Sequence, residues 1–541
     1  MLLFIFTIIA IVLAGVNLVL ELTRDLMMLQ QNSYRRERYM RWLRESGDTT
    51  SWLRLVSMAV LLIALSRLSG CGVMVAAPGL FALVSAMILW RRKYKKPLVW
   101  TRRVWRIFSV AIALVLIAVL ATVIIVAWDM PGVLCCPEAF VPLLFAALTA
   151  LTACYCISHV IVVLANWLLA PVEKSINRRY YNDAKRRLEQ MPDLKIIGIT
   201  GSYGKTSTKH YLYRILSEHF DTLMTPGSFN TTLGVVRTVR EYLKPYHQVF
   251  IVEMGAKQIG DIAEICDLVH PSVGIVTAVG PQHLESFKTI ENVQATKFEL
   301  VDALPADGLA VVNNDFEKIA NRPVSNTRCV RYAVRVDNVD YTARNIEYSA
   351  AGSTFEVVAA DGYVLALRTR LVGECNISNL LAAVAVARHL GVPDKKIAYA
   401  VERIEQVEHR LSVKRTPAGV TIIDDAFNSN PVGSAMALDV LSSMKGGKRI
   451  VITPGMIELG EEQETLNETF GRRIAASVDV AIIVGKYNRD AIVRGITDAA
   501  VLADDSVHAV DTFADAQRLL ASLVAPGDTV LYENDLPDTF K

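Results

Sequence analysis

The first 170 residues hold most of the apolar surplus of this chain, and that concentration constrains the fold more than any other feature. Residues 1–20 form a continuous apolar run without a charge. As a helix rising about 1.5 Å per residue, the run is long enough to cross a hydrocarbon core of about 30 Å. It lacks a basic leading segment and an obvious small-residue cleavage site, so it reads as a retained span rather than a removed signal peptide. Further runs over 55–68, 73–90, 107–128 and 140–169 bring the expectation to five spans. The second is short and carries Arg67, which leaves it open between a span and a buried or interfacial helix. With 541 residues the chain exceeds one core, and 52% apolar residues with a mean hydropathy of +0.32 is high for a purely soluble protein.

Charge sets the expected orientation. Residues 21–54 carry Arg24, Arg35, Arg36, Arg38, Arg41, Arg44 and Arg54, and residues 91–106 carry eight Lys or Arg and no acid. Both segments are expected to face the cytoplasm, whereas 69–72 and 129–138 contain no Lys or Arg and suit the outside. Five spans then put the N-terminus outside and the rest of the chain inside. After the last span, 171–192 reads as a basic juxtamembrane linker helix with Lys174, Arg178, Arg179, Lys185, Arg186 and Arg187. It is either laid along anionic headgroups of membrane lipids or solvated. A formal net charge of +3 is too small to point to nucleic acid. Among eight cysteines there is no C-x-x-C pair, so no metal site is expected from them and reduced thiols are the default, with a disulfide open to Cys71, Cys135 and Cys136 on the outer side.

Downstream, residues 196–209 read Ile-Ile-Gly-Ile-Thr-Gly-Ser-Tyr-Gly-Lys-Thr-Ser-Thr-Lys, an apolar strand entering a glycine-rich turn. Gly201 and Gly204 free the backbone to aim N–H groups at phosphate oxygens. Lys205 can neutralise the β and γ phosphates, and the Thr206 hydroxyl can hold Mg²⁺. The glycine at 198 stands one residue too early for the usual G-x-x-x-x-G-K-[ST] spacing, which marks a variant of the phosphate loop. Short β-branched runs at 196–200, 249–253, 274–278 and 309–313 alternate with helical patterns, the grammar of a doubly wound parallel sheet. A second alternation, at 420–423, 449–453, 480–484 and 529–532, predicts a separate Rossmann-like domain beginning after about 403–410. Ligands collect at the carboxyl ends of such strands, where Glu253 falls.

Ten short segments occur in a telling order: Thr200-Gly-Ser-Tyr-Gly-Lys-Thr-Ser207, Gly227-Ser-Phe-Asn-Thr-Thr-Leu-Gly234, Val252-Glu-Met-Gly-Ala256, His283-Leu-Glu285 and Ala295-Thr-Lys-Phe-Glu299, then Asn313-Asn-Asp315, Gly373-Glu-Cys-Asn-Ile-Ser-Asn379, His409-Arg410, Asp424-Asp-Ala-Phe-Asn-Ser-Asn430 and Gly455-Met-Ile-Glu-Leu-Gly460. Together they resemble the Mur ligases, ATP-dependent amino-acid-adding enzymes of peptidoglycan synthesis, in the pattern of the MurF type that adds D-alanyl-D-alanine. The resemblance covers about 195–500. The apolar runs give a multi-pass α-helical membrane domain (1–170) and the basic linker (171–192), and the resemblance implies two α/β domains after them: a P-loop-type central ATP-binding domain (193–406) and a Rossmann-like C-terminal domain (407–541).

The resemblance implies chemistry in which a substrate carboxylate attacks the γ phosphorus and an amine then displaces phosphate from the acyl phosphate. It assigns Gly201, Ser202, Gly204, Lys205, Thr206 and Ser207 to the triphosphate, Asn376 and Asn379 to the base, and Arg410 and Asp425 to phosphate and ribose. Two Mg²⁺ ions are implied, one near Thr206 and Glu253 and one near His283 and a carbamylated Lys297. Lys205, His283 and Lys297 are the implied catalytic set. Read without the family, the alternative for His283 is a satisfied loop histidine and for Lys297 an exposed helix lysine paired with Glu299 or nearby acids. Asn230, Thr231, Asn428 and Asn430 are candidates for substrate contact, though asparagines in a strand-to-helix loop also form turns.

The sequence departs from the family at Tyr203, Cys375 and Phe427. At its end, Asn534-Asp-Leu-Pro-Asp-Thr-Phe540 replaces a lysine-glycine-serine segment and leaves the amine donor open. The uridine-binding N-terminal domain of the family has no counterpart, so the muramoyl-peptide acceptor is expected at the bacterial cell membrane, for instance on a polyprenyl carrier. D-alanyl-D-alanine is the expected donor. Alternatives are amidation of a lipid-linked precursor with a glutaminase partner, a folate-related polyglutamate synthase, and a membrane scaffold for wall-synthesis proteins.

Overall fold

The computed structural model describes all residues except 1, 49–50, 66–70, 93, 95, 130–139, 350–351, 427–428 and 537–541. The chain divides into two compact units, residues 1–177 and 178–536. The first is helical throughout its regular structure: Leu2–Gln31, Arg36–Glu45, Trp52–Leu65, Cys71–Arg91, Arg102–Asp129, Phe140–Cys156 and the opening of Ser158–Glu189. Among the described residues three helices, Leu2–Gln31, Arg102–Asp129 and Ser158–Glu189, are long and apolar enough to cross a membrane. Over the described residues, shorter apolar helices cover Trp52–Leu62, Val75–Arg91 and Phe140–Cys156. Two boundaries also move. The run over 140–169 breaks at Ile157 into two helices, and the basic linker is no separate element but the end of the helix Ser158–Glu189, with Pro171 inside it.

Apolar composition announces neither the break nor the reason for it. Ser158 opens its helix by donating to Asp25 Oδ2 at 2.6 Å. That bond belongs to a buried charge cluster within this unit. Arg54 reaches Glu21 at 2.9 Å and Asp25 at 3.2 Å, and Arg24 donates to Glu21 at 2.9 Å and to Asp48. Three carboxylates thus surround two guanidiniums, all buried or nearly so, and join the helices Leu2–Gln31, Trp52–Leu65 and Ser158–Glu189. Buried charges survive only when paired in this way. Around them pack Leu18, Leu22, Leu26, Tyr39, Leu43, Val104, Ile107, Val162 and Ala165. The loop pairs 69–72 and 129–138 of the topology argument fall largely outside the described residues, as do Cys135, Cys136 and the Cys71 side chain.

The second unit carries two sheets. The first has nine strands in the spatial order Thr222–Met224, Val249–Glu253, Lys195–Thr200, Val273–Val276, Leu309–Asn313, Arg328–Ala333, Tyr341–Ser349, Gly352–Ala359 and Val364–Thr369. Pairing is parallel as far as Tyr341–Ser349 and antiparallel over the last two joins. All strands of the expected parallel core are present. The edge meander is not legible as periodic apolar sequence, because its strands alternate buried with exposed positions. Helices cover both faces. Lys205–Leu216 and Glu374–His389 bury Leu212, Ile215, Leu380 and Val384 on one face, and Asp261–Val269 and Ile290–Asp302 bury Ile262, Ile265, Phe298 and Leu300 on the other. The second sheet runs Ser412–Arg415, Thr421–Asp425, Thr529–Glu533, Arg449–Thr453, Val480–Val484 and Val507–Val510, parallel except for its first pair. Residues 403–411 lie between the helix Asp394–Glu402 and the first strand of the second sheet.

Candidate nucleotide and ligase site

The strand Lys195–Thr200 is buried except at its first residue and delivers the chain to the glycine-rich turn at its carboxyl end. Gly201 has φ +149° and Gly204 φ +83°, backbone that side chains rarely adopt. A Cβ at Gly204 would also lie 2.6 Å from Asn379 Oδ1. Gly204 caps the helix Lys205–Leu216, so the free N–H groups of that helix open onto the turn. Ser202 holds the turn in place: its N–H donates to Ala278 O at 2.8 Å, and its hydroxyl donates to Gly280 O at 3.0 Å. Lys205 curls over the loop, donating to Gly201 O at 2.6 Å and Ser202 O at 3.2 Å. Burial pulls its pKa down to about 8 against the pull of Glu253, and Arg410 lowers it further.

Glu253 ends the strand Val249–Glu253 next to the turn. One carboxylate oxygen accepts from Thr206 Oγ1 at 3.2 Å and from Asn230 Nδ2 at 3.0 Å; the other lies 3.0 Å from Lys209 Nζ. Burial raises the Glu253 pKa, but Lys209, Lys205 and these hydrogen bonds outweigh it and keep the group ionised. Thr206 and Glu253 therefore present adjoining oxygens, one anionic, as a hard divalent cation requires. Lys209 was not singled out in the sequence, yet it is fully buried and also donates to Gly227 O at 2.6 Å. A second lysine four residues after Lys205 was the available signal. Thr231 lies beside Asn230 and caps the helix Thr232–Glu241 by accepting from Gly234 N.

A cleft between the two sheets brings together Gly204, Ser207, Asn376 and Asn379 from the central domain and Arg410, Asp425 and Asn430 from the C-terminal domain. Asn376 is held on both sides, accepting from Tyr211 OH at 2.7 Å and donating to Val372 O at 2.8 Å; Asn379 accepts from Thr208 at 3.1 Å. Asn430 caps the helix Pro431–Ser443 by accepting from Gly433 N at 2.9 Å, the turn role that asparagine chemistry also allowed. Phe427 and Asn428 lie outside the described residues. Tyr203 and Phe316 form an edge-to-face pair at 5.5 Å on the wall of the cleft, and Cys375 lines it with a thiol that burial pushes up to about 12.

His283 and Lys297 do not converge on acids from their own domain. His283, at φ +53°, pairs through Nδ1 with Glu458, a residue of the C-terminal domain at φ +62° that also lies 3.7 Å from Lys257. Lys297 is 2% exposed on the helix Ile290–Asp302. Its ammonium lies 5.8 Å from the Phe287 ring and has no hydrogen bond or ion pair among the described residues. Burial first, then the charge of Lys205, lowers its pKa to about 7. The alternative of an exposed lysine paired with Glu299 is not met: Lys297 is buried, and Glu299 accepts from the Gly260, Ile262 and Ala263 amides.

Register explains one further group that the sequence reading passed over. Asp425 and Glu533 are Cα partners at the carboxyl ends of adjacent parallel strands, so two acids stand side by side. Glu533 is fully buried; Ser429 donates to one of its oxygens, and the other has no hydrogen-bond partner among the described residues. Burial, with the like charge of Asp424, raises the Asp425 pKa to about 6, and burial, with the like charge of Asp425, raises that of Glu533. A carboxyl raised in the folded state favours folding below its unfolded pKa and loses that contribution as pH rises through the folded value. Glu533→Gln removes a buried carboxyl and its repulsion by Asp425. It is expected to raise stability by about 2 kcal/mol at pH 8 and by little at pH 4. Thermal melts of the two proteins at both pH values check this.

A phosphate loop at the carboxyl edge of a parallel sheet, with a second α/β domain contributing to the same cleft, is the arrangement of a nucleotide-binding protein. The family model described as Mur ligase middle domain matches residues 199–387, and the one described as Mur ligase, glutamate ligase domain matches 409–532. UDP-N-acetylmuramoyl-tripeptide--D-alanyl-D-alanine ligase of Escherichia coli (strain K12) is 33% identical over 303 residues, covering 56% of this chain and 66% of the relative. The enzyme of the same description from Mycobacterium bovis (strain ATCC BAA-935 / AF2122/97) is 32% identical over 366 residues, 62% of this chain and 70% of the relative. A crystal structure of MurF from Acinetobacter baumannii superposes with a TM-score of 0.61 at 28% identity, covering 67% of this chain and 78% of that one. The chain belongs to the Mur ligase family. It spans just under two thirds of the length of the Escherichia coli relative.

Proposed function

We propose that this chain is an ADP-forming ligase that activates a muramoyl-peptide carboxylate as an acyl phosphate and joins it to D-alanyl-D-alanine at a membrane surface. The observation that carries this reading is the cleft in which Gly204 and Ser207 of the phosphate loop face Arg410 and Asp425 of the next domain, with the Arg410 charge reaching Lys205. The names borne by the relatives support the donor and the peptide acceptor.

In this reading Lys205 and the N–H groups of the turn hold the β and γ phosphates and offset their charge, so that a carboxylate can approach the γ phosphorus. The carboxylate oxygen bonds to that phosphorus as ADP leaves. The donor amine, having lost its proton, then attacks the acyl carbon and phosphate departs. Thr206 and Glu253 fit a Mg²⁺ ion through adjoining oxygens, and His283 with a carbamylated Lys297 would hold a second. Bound magnesium supplies charge neutralisation between two anions that must meet. Carbamylation is supported by the Lys297 environment, where a buried amine without an acid partner is neutral and nucleophilic above pH 7, as carbon dioxide addition requires. In this reading Asn376 and Asn379 meet the base, Arg410 and Asp425 reach phosphate and ribose, and Asn230 steadies Glu253.

The helical unit would place the ligase in the bacterial cell membrane as a multi-pass protein, N-terminus outside and catalytic domains in the cytoplasm. The apolar lengths of three helices and the basic segments flanking them support this. The spans would then stand in for the uridine-binding domain, with the acceptor presented on a lipid carrier. The test is phosphate release by the full-length protein in nanodiscs with D-alanyl-D-alanine and either nucleotide-linked or lipid-linked muramoyl tripeptide, the products identified by mass. Turnover confined to the lipid-linked acceptor is the expected result. Turnover on the nucleotide form with no gain from the lipid removes the lipid-carrier part, and no amide product with either removes the ligase reading.

A further inference from the structure

The linker between the two α/β domains separates two clefts, not one. Arg410 and Leu411 line the nucleotide cleft, whereas Gln406 lines a second cleft on the other side. Thr421 and Thr529 border this rear cleft, and they open the strands that end at Asp425 and Glu533. Four residue steps of about 3.3 Å set the two clefts about 13 Å apart along the strands. A rotation about the linker that narrows one therefore widens the other.

The walls of the rear cleft are strongly basic. Arg368 and Arg370 come from the last strand of the first sheet and the residues after it, Arg415 and Lys445 from the C-terminal domain. All four are exposed, and none has an ion pair or a side-chain hydrogen bond among the described residues. At the same cleft Arg403 and Glu402 pair with each other at 3.3 Å and cancel. Two domains thus turn like charges toward a shared space where no acid among the described residues pairs with them. A concave surface of one sign concentrates counter-ions, and a multivalent one can bridge both walls.

We propose that the rear cleft is a binding site for a multivalent phosphate-bearing anion, which draws the domains together behind the linker and so opens the nucleotide cleft in front. Arg368 and Arg370 grip it from one side and Arg415 and Lys445 from the other. Coupling is reciprocal: the anion weakens nucleotide binding by the factor by which nucleotide weakens the anion. A free oligophosphate and the headgroups of anionic lipid share this chemistry.

The experiment uses the full-length protein in phosphatidylcholine nanodiscs with excess Mg²⁺ and tripolyphosphate as the probe. With the phosphate loop filled by saturating ADP, calorimetry is expected to show one further site per chain. Its affinity should fall with added salt and drop at least tenfold in the double variant Arg368→Gln/Arg415→Gln, which takes one cation from each wall. Tripolyphosphate should raise the ADP dissociation constant several-fold more in the parent than in the double variant; direct competition at the phosphate loop would be equal in both. Neither substituted residue lines the nucleotide cleft, so ADP binding without the anion should match. Arg370→Gln/Lys445→Gln gives a second test if the first pair lowers the melting temperature. Displacement of tripolyphosphate by phosphatidylglycerol in the nanodisc would identify lipid as the source, and no displacement a soluble anion. Equal tripolyphosphate binding by the parent and both variants, or none by the parent at low salt, overturns the proposal. None of these readouts needs turnover, so failure of the ligase reading would leave them interpretable.

Discussion

Lys205→Ala is expected to lower ATP turnover by about three orders of magnitude while leaving the fold intact. The ammonium is the one positive side chain on the turn itself, and it rests on the Gly201 and Ser202 carbonyls, which makes it available to a phosphate group. Removing a single preorganised charge-stabilising donor costs about 10²–10³ in rate, and a lysine facing a triphosphate belongs at the upper end. Stability should change little, because the alanine variant gives up a desolvated charge as well as two hydrogen bonds. Arginine should not rescue, since its planar fork cannot occupy a pocket shaped around a point charge. Phosphate release with a parallel melting curve checks the prediction. Unchanged turnover would move the nucleotide away from this loop.

The second large effect concerns Lys297. Its alanine variant should lose about 10²-fold or more in turnover, and the parent enzyme should depend on carbon dioxide. The sign follows from the lowered pKa of about 7: below it the amine is protonated and cannot add carbon dioxide, above it the amine is free to react. Activity in carbon dioxide-depleted buffer should therefore fall most at pH 6 and be restored by bicarbonate at pH 8. A ¹³C-bicarbonate label should give a carbamate resonance in the parent that is missing from Lys297→Ala. Turnover indifferent to carbon dioxide at every pH, with no such resonance, would leave Lys297 an uncarbamylated buried amine.

Sequence reading went furthest where chemistry is local. The turn at 200–207 was legible because glycine conformation, the lysine and the threonine all act within eight residues of one another. Family order then pointed to His283 and Lys297. What escaped depends on segments distant in sequence: Glu458 reaches His283 across 175 positions, and Lys209 reaches Glu253 across a strand crossover. The Asp425–Glu533 pair arises from strand register, which no single stretch encodes. Strands such as Gly352–Ala359 hid for a different reason: a sheet edge with one wet face lacks the apolar continuity that marked Val249–Glu253.

The charge cluster of the helical unit bears on how that unit is made. A chain is synthesised from its N-terminus, so Glu21, Arg24 and Asp25 emerge before Arg54, and Ser158 comes last. Arg54 thus meets its counter-charges already in place, whereas the reverse order would leave a lone guanidinium among apolar helices at a cost of several kcal/mol. Removing Glu21 or Asp25 would be felt first as failed assembly during synthesis, with the ligase domains downstream still able to fold.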